Sequence, residues 1–250
     1  MDRRFAFFDL DHTLLPYDTQ ALFCNFILRR EGWRRLWLLL FLPCVPLAAM
    51  GLLSLRTMKR LFLGYLRGMS RDQLEARVAE FLESDFSSAL YPDLVAEIAR
   101  HREEGRILVL NSASPEFYLR GIAKQLGFDE FFGTRVILSD RFPLVPEIQG
   151  PNNKHGEKIR AMRSAGLVAA DVSVLPDSCS YSDSAADLPL LEFAGEAVLI
   201  HPSAKLAAIG RERGWRTMTP PRPYSGKWGG RLATCLQVLG LYRLPRGRKV

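Results

Sequence analysis

Cysteine is scarce and scattered in this sequence. The four cysteines, Cys24, Cys44, Cys179 and Cys235, form no close pairs. Their spacing argues against a disulfide framework and against a zinc site of the C-x-x-C type, and it fits a reducing compartment. The apolar part of the opening MDRRFAFFDLD is too short for a secretory leader and reads as a first strand. No internal repeat is present. Charge is missing altogether from Leu36 to Leu55, LWLLLFLPCVPLAAMGLLSL. That length is a transmembrane candidate, but arginines or lysines flank both ends and Pro43 and Pro46 interrupt it.

What is present is enough apolar material for a core. Hydrophobic residues make up 48% of the 250 residues, which excludes a disordered chain and suits an α/β core with a small inserted domain. The formal charge of +7 suits an anionic small substrate, an anionic lipid surface or nucleic acid without choosing among them. The aromatic and basic residues form no nucleic-acid-binding module, so no nucleic-acid partner is expected.

Short apolar runs punctuated by helical patterns predict a mostly parallel sheet. Phe5 to Phe8 is a buried strand ending at Asp9, and Arg106 to Leu110 a second, followed by Asn111-Ser112-Ala113-Ser114-Pro115. Pro115 would open the next helix with Ser114 as its cap, and Gly127 would close it. Phe81 to Arg100 reads as helical, with Pro92 near the start of a helix. Later strands are expected at Thr134 to Leu138, with Phe142 to Ile148 as partner, in part of Val172 to Tyr181, and at Ala197 to Ile200. Helices are expected at Glu157 to Arg163 and Leu206 to Arg213. Pro220 to Gly230 reads as a loop, and the chain ends in a basic run, Arg243 to Lys249. Asp18 to Leu90 separates the first two strands and must be a nearly all-helical insertion.

That separation constrains the uncharged stretch. A single crossing at 36–55 would put Asp9 on the opposite side of a membrane from Ser112 and Asp183, and the sheet could not form. A bent helical hairpin at the interface, or dipping into one leaflet, is the favoured reading. A hydrophobic helix pair buried in the insertion or in a dimer is the other.

The chemistry-bearing residues fall at strand ends, where open α/β sheets bind ligands. Asp9 and Asp11 can bind a hard divalent cation, attack phosphorus or carry a proton. Thr13 offers a hydroxyl to a phosphate oxygen. Ser112, between a strand and a helix, suits an anion site. Lys158 is the cation expected beside the phosphate, with Lys154 as its rival. Asp183 is the better metal ligand of the last pair, and Asp187 would hold Lys158 or a water shell. Each also has an ordinary reading as a turn acid, a helix cap or a solvated lysine.

The ordered set resembles the haloacid dehalogenase superfamily, in its phosphoserine-phosphatase-like branch (subfamily IB). Asp9-Leu10-Asp11-His12-Thr13, Ser112, Lys158 in Gly156-Glu157-Lys158, and the run Tyr181 to Leu191 match its four motifs over roughly residues 4 to 216. The resemblance implies a doubly wound, Rossmannoid sheet with a helical cap inserted between the first two motifs. Residues 1–17 and 91–216 would form the catalytic core, 18–90 the cap with its apolar hairpin at 36–55, and 217–250 a basic tail. It implies Asp9 as nucleophile and Asp11 as general acid and base. Mg2+ would be held by Asp9, the main-chain carbonyl of Asp11, and Asp183. Phosphate would be bound by Ser112, Ala113 and Lys158, and a substrate amine by Asp18. The apolar hairpin, the FFDLD start and the YSDS motif are also similar to phosphatidylglycerophosphatases of the C type. A phosphorylated lipid headgroup is therefore the expected substrate. With it go peripheral contact with an anionic membrane and a cytoplasmic place at the inner face of the cell membrane. The alternatives are a soluble phosphatase of the phosphoserine or histidinol phosphate type, and an inactive relative used for binding.

Overall fold

The computed structural model describes residues 3–245. Seven strands form one sheet in the order β4-β3-β2-β1-β5-β6-β7. They are β1 (Phe5–Phe8), β2 (Ile107–Pro115), β3 (Glu130–Val136), β4 (Ile148–Gln149), β5 (Leu175–Ser182), β6 (Ala194–Ile200) and β7 (Arg216–Met218). Every pairing is parallel except the two-residue β3–β4 contact. β1 lies between β2 and β5, and all four of its residues are buried, as a central parallel strand covered on both faces requires. The doubly wound α/β sheet expected from the sequence is therefore present, with helices filling the long gap between β1 and β2.

Within that gap the chain runs through helices Thr19–Arg30, Leu38–Phe41, Cys44–Ala49, Leu55–Phe62 and Arg71–Phe81, with tighter turns between them. Among the described residues no helix is long and apolar enough to cross a membrane. The uncharged stretch breaks at Leu42–Pro43, and Gly51 turns it through a left-handed φ of 77°.

Local differences from the expected elements have identifiable causes. Phe81 to Arg100 is not continuous helix. Tyr91 precedes Pro92 and is extended (φ −75°, ψ 117°), so a new helix starts at Pro92 and runs to Glu103. β2 continues through Pro115, with a register shift after Asn111. Pro115 is the extended residue before the helix Glu116–Leu126, and Ser114 does not cap that helix. The expected partner strand at Phe142 to Ile148 shrinks to β4. The glycines at 226, 229 and 230 do not make a loop: a helix runs from Gly226 to Val238. Gly229 and Gly230 lie against Tyr224, and a methyl group at Gly230 would sit 3.0 Å from its ring, so these glycines admit the tyrosine. This last helix packs on Thr19–Arg30. The end of the basic run, 246–250, lies outside the described residues.

Candidate active site

β1 delivers Asp9 to the sheet edge, and the Asp9 N–H donates to the Tyr181 carbonyl at 3.0 Å, so β5 is in register beside it. The chain then turns sharply. His12 takes a left-handed φ of 60°, and the N–H groups of Thr13 and Leu14 both donate to the Leu10 carbonyl. This turn sends Asp9 and Asp11 to different partners despite their spacing. Asp9 faces Lys158 at 2.8 Å. Asp11 accepts from the Thr19 N–H, at the start of a helix, at 2.7 Å, and from the Ser114 hydroxyl at 2.9 Å. Tyr118 in turn donates to the Ser114 hydroxyl oxygen at 3.0 Å.

Lys158 is the electrostatic pivot. It stands on the helix Glu157–Ser164, is 1% exposed, and donates to both Asp9 Oδ1 and Asp187 Oδ2, the latter at 2.7 Å. Ser182 donates to the same Asp187 oxygen at 2.7 Å. Burial of the ammonium opposes its charge, but the two carboxylates outweigh that and hold Lys158 above its ordinary value. Lys154 is exposed in the preceding loop and makes none of these contacts.

The acids crowd each other. Burial pushes Asp9 up to about 7, Lys158 offsets part of this, and Asp187 and Asp11 add to it. Burial also pushes Asp183 up to about 8, reinforced by Asp9, Asp187 and Asp11. Among the described residues Asp183 has no salt-bridge partner. Asp18 caps the helix Thr19–Arg30 by accepting from the Ala21 N–H at 2.9 Å, and burial followed by Asp11 raises it. Thr13 is fully buried. Its hydroxyl oxygen accepts from the Asp183 N–H at 3.1 Å and lies 3.5 Å from Asp9, so it braces the turn against the end of β5.

On the other side of Asp9, Ser112 is buried and its hydroxyl accepts from the Ser114 N–H at 3.1 Å. Asn153 fixes this loop, donating to Asn111 Oδ1 at 2.8 Å and to the Ser112 carbonyl at 2.9 Å. The Ala113 carbonyl accepts from Lys59, which reaches across from the inserted helix Leu55–Phe62. Lys59 also donates to Thr134 and to Asn152, each at 2.9 Å. Burial drops Lys59 to about 8, against the pull of Asp11 and Asp18.

The structure thus places Asp9, Asp11, Thr13, Ser112, Ala113, Lys158, Asp183 and Asp187 around one edge, with Asp18 beside Asp11. Sequence reasoning missed Ser114, Asn153 and Lys59. Ser114 was visible only as a helix cap. Lys59 looked like a flanking charge, because nothing local says that its partners are 54, 75 and 93 residues away.

The donor set suits a hard cation. It is all oxygen, several carboxylates are held together against their own repulsion, and among the described residues Lys158 is the only cation bonded to them. Among the described residues no three His, Cys, Asp or Glu side chains stand together so as to hold a metal ion; the set expected from the sequence is two carboxylates, Asp9 and Asp183, with the Asp11 main-chain carbonyl.

Comparison with known proteins agrees with the layout. The family model for haloacid dehalogenase-like hydrolases matches residues 6–192. A probable phosphatase of Mycobacterium tuberculosis is 28% identical over 246 residues, covering 89% of this chain and 77% of its own. A phosphoserine phosphatase of the same organism is 29% identical over 218 residues, covering 84% and 68%. A solved Bordetella pertussis structure of unknown function superposes with a TM-score of 0.71 at 28% identity, covering 87% of this chain and 99% of that one.

Proposed function

The chain belongs to the haloacid dehalogenase-like hydrolases, as a phosphatase of their phosphoserine-phosphatase-like branch, and on that premise we propose that it hydrolyses phosphomonoesters through an aspartyl-phosphate on Asp9. The observation that carries this reading is the different bonding of two acids one residue apart. Asp9 is held by Lys158, and Asp11 by Thr19 and Ser114.

In this reading an Asp9 carboxylate oxygen attacks phosphorus and the ester oxygen leaves with a proton from Asp11. Asp11 then takes a proton from the water that hydrolyses the acyl phosphate. The hydroxyl of Ser112 and the loop it shares with Ala113 bind the phosphoryl oxygens. Lys158 stabilises their charge while Asp187 holds Lys158 in place. Asp9, the Asp11 main-chain carbonyl and Asp183 would hold Mg2+, which supplies charge neutralisation that lets an anionic carboxylate approach an anionic ester. Ser114 and Tyr118 orient Asp11. Residues 18–90 act as the cover of a catalytic unit formed by 1–17 and 91–216, with 217–250 as an appendage.

For the substrate we favour a small phosphomonoester of the phosphoserine type. Support comes from the phosphoserine phosphatase among the relatives, and from Asp18 and Lys59, which place opposite charges on the inserted side of the site. A second reading keeps the chemistry and makes the substrate a lipid headgroup such as phosphatidylglycerophosphate, handled at the inner face of a membrane. Its specific support is the exposure of Leu39, Leu47 and Leu52 in the hairpin. A phosphomonoester screen with and without Mg2+ tests both, using phosphoserine, histidinol phosphate and phosphatidylglycerophosphate in mixed micelles. Asp9→Asn is expected to lose at least roughly a thousandfold in kcat while keeping its circular dichroism. Undiminished turnover in that variant would sink the mechanism. Turnover confined to the micellar substrate would sink the small-substrate reading.

A further inference from the structure

The hairpin inside the insertion is built as an inside-out element. The helix Cys44–Ala49 consists of apolar residues, yet none of them is buried. Its principal packing is against Leu38–Phe41 and Leu55–Phe62, the helices on either side of it. Leu39 is 72% exposed, Met50 64% and Leu52 68%, with Leu40, Leu42 and Leu47 exposed alongside. Scattered exposed leucines are ordinary, but a run of them on one projecting element is the signature of a contact surface.

The charge around it selects the partner. From Gly32 to Arg71 there is no Asp or Glu, and there are seven basic residues: Arg34, Arg35, Arg56, Lys59, Arg60, Arg67 and Arg71. Arg34 is neutralised by Glu31. Arg35, Arg56 and Arg60 spend their hydrogen bonds on main-chain carbonyls, which fix the side chains without cancelling their charge. Arg67 and Arg71 are exposed. Lys59 is turned into the site, bonded to Ala113, Thr134 and Asn152, so the basic margin of the apolar stretch is Arg35, Arg56, Arg60, Arg67 and Arg71. A second copy of the chain docking by two-fold symmetry would bring this positive margin against itself. An anionic bilayer offers the opposite charge and an apolar interior beneath it.

We propose that residues 36–55 form a monotopic docking element that inserts into the interface of an anionic lipid bilayer. The leucines enter the acyl boundary, and the basic rim rests on the headgroups. Both contributions are required, because apolar insertion of this size is weak without the electrostatic one. The element docks whatever the substrate is, so its test does not depend on catalysis.

The full chain is floated with phosphatidylcholine vesicles, with and without phosphatidylglycerol. Binding is expected to the mixed vesicles, to fall as salt rises, and to weaken by about tenfold or more in Leu47→Glu/Leu52→Glu. Because both side chains are exposed, that double variant is expected to keep its fold and its turnover of a water-soluble phosphomonoester. Asp9→Asn should float like the parent chain even if the phosphatase reading fails. Absence of flotation with anionic vesicles would overturn the proposal, as would equal flotation of the double variant. Light scattering showing a dimer that the double variant abolishes would assign the surface to a second copy instead.

Discussion

The edge of the sheet and the apolar hairpin depart from the usual distribution of residues in opposite directions. At the edge, a lysine and three aspartates that belong in water are buried or nearly so. On the hairpin, leucines that belong in a core stand in solvent. Neither arrangement serves the stability of an isolated chain. Buried charge is costly unless paired, and exposed apolar surface forgoes its transfer free energy. The site also draws on residues from 9 to 187 in the sequence, whereas the hairpin is a single contiguous stretch. The first can be assembled only by the whole fold. The second is local in sequence, and Arg56, Lys59 and Arg60 anchor its last helix to residues between Ala113 and Asn152.

The contrast is most severely tested at Lys158. Lys158→Met leaves Asp9 and Asp187 buried without their cation, and a loss of about 3–5 kcal/mol in urea unfolding is expected, together with loss of turnover. Adding Asp187→Asn should restore part of the stability and none of the turnover. If Lys158→Met unfolds like the parent chain, the edge is wetter than its burial implies.

A titration sharpens the same contrast away from the acids. His101 is fully buried under the sheet and bonded to Tyr181, and burial, then Arg100 and Arg106, drop it from 6.5 to about 4. Its folded value lies below its unfolded one, so the unfolded chain binds more protons below pH 6.5. Stability is therefore fully present above about pH 6.5 and drains away as pH falls toward 4, by at most roughly 3 kcal/mol. His101→Gln should flatten the dependence of the unfolding midpoint across that window; an unchanged slope would assign it to other groups.

A smaller effect is expected at Lys59, where the hairpin's own helix touches the site. Lys59→Met removes three hydrogen bonds that hold the inserted helix to Ala113, Thr134 and Asn152. We expect about 1–3 kcal/mol of destabilisation, and a raised KM with kcat less affected. An equal fall in kcat at unchanged KM would make Lys59 part of the transition state instead. The smallest effect belongs to the hairpin surface. Leu47→Glu/Leu52→Glu should shift stability by no more than about 1 kcal/mol, since Leu52 is 68% exposed and Leu47, at 38%, is covered only by its neighbours in the hairpin.

The central strands and the acids beside them were legible in the sequence because both are local, whereas the order of strands in the sheet and the edge strand β7 were not. FAFF followed by Asp9 states a buried strand and its terminus, and the 18–90 gap forces an insertion. The partners of the acids were less legible. Ser114 reads as a cap because a serine before a helix usually is one, and only β2's extension past Asn111 turns it toward Asp11. The helix at 226–238 was hidden by its glycines, of which Gly229 and Gly230 make room for Tyr224. Lys59 was hidden because long-range hydrogen bonds leave no periodic trace.

Asp9 is the nucleophile of the proposed reaction, and trapping the covalent species tests that role most directly. The protein is incubated with a turned-over phosphomonoester and Mg2+, quenched in acid, and digested for peptide mass spectrometry. A phosphoryl group on the peptide carrying Asp9, absent from Asp9→Asn, is the result expected. Phosphorylation at Ser112 instead, or steady turnover with Asp9 replaced, would contradict the account.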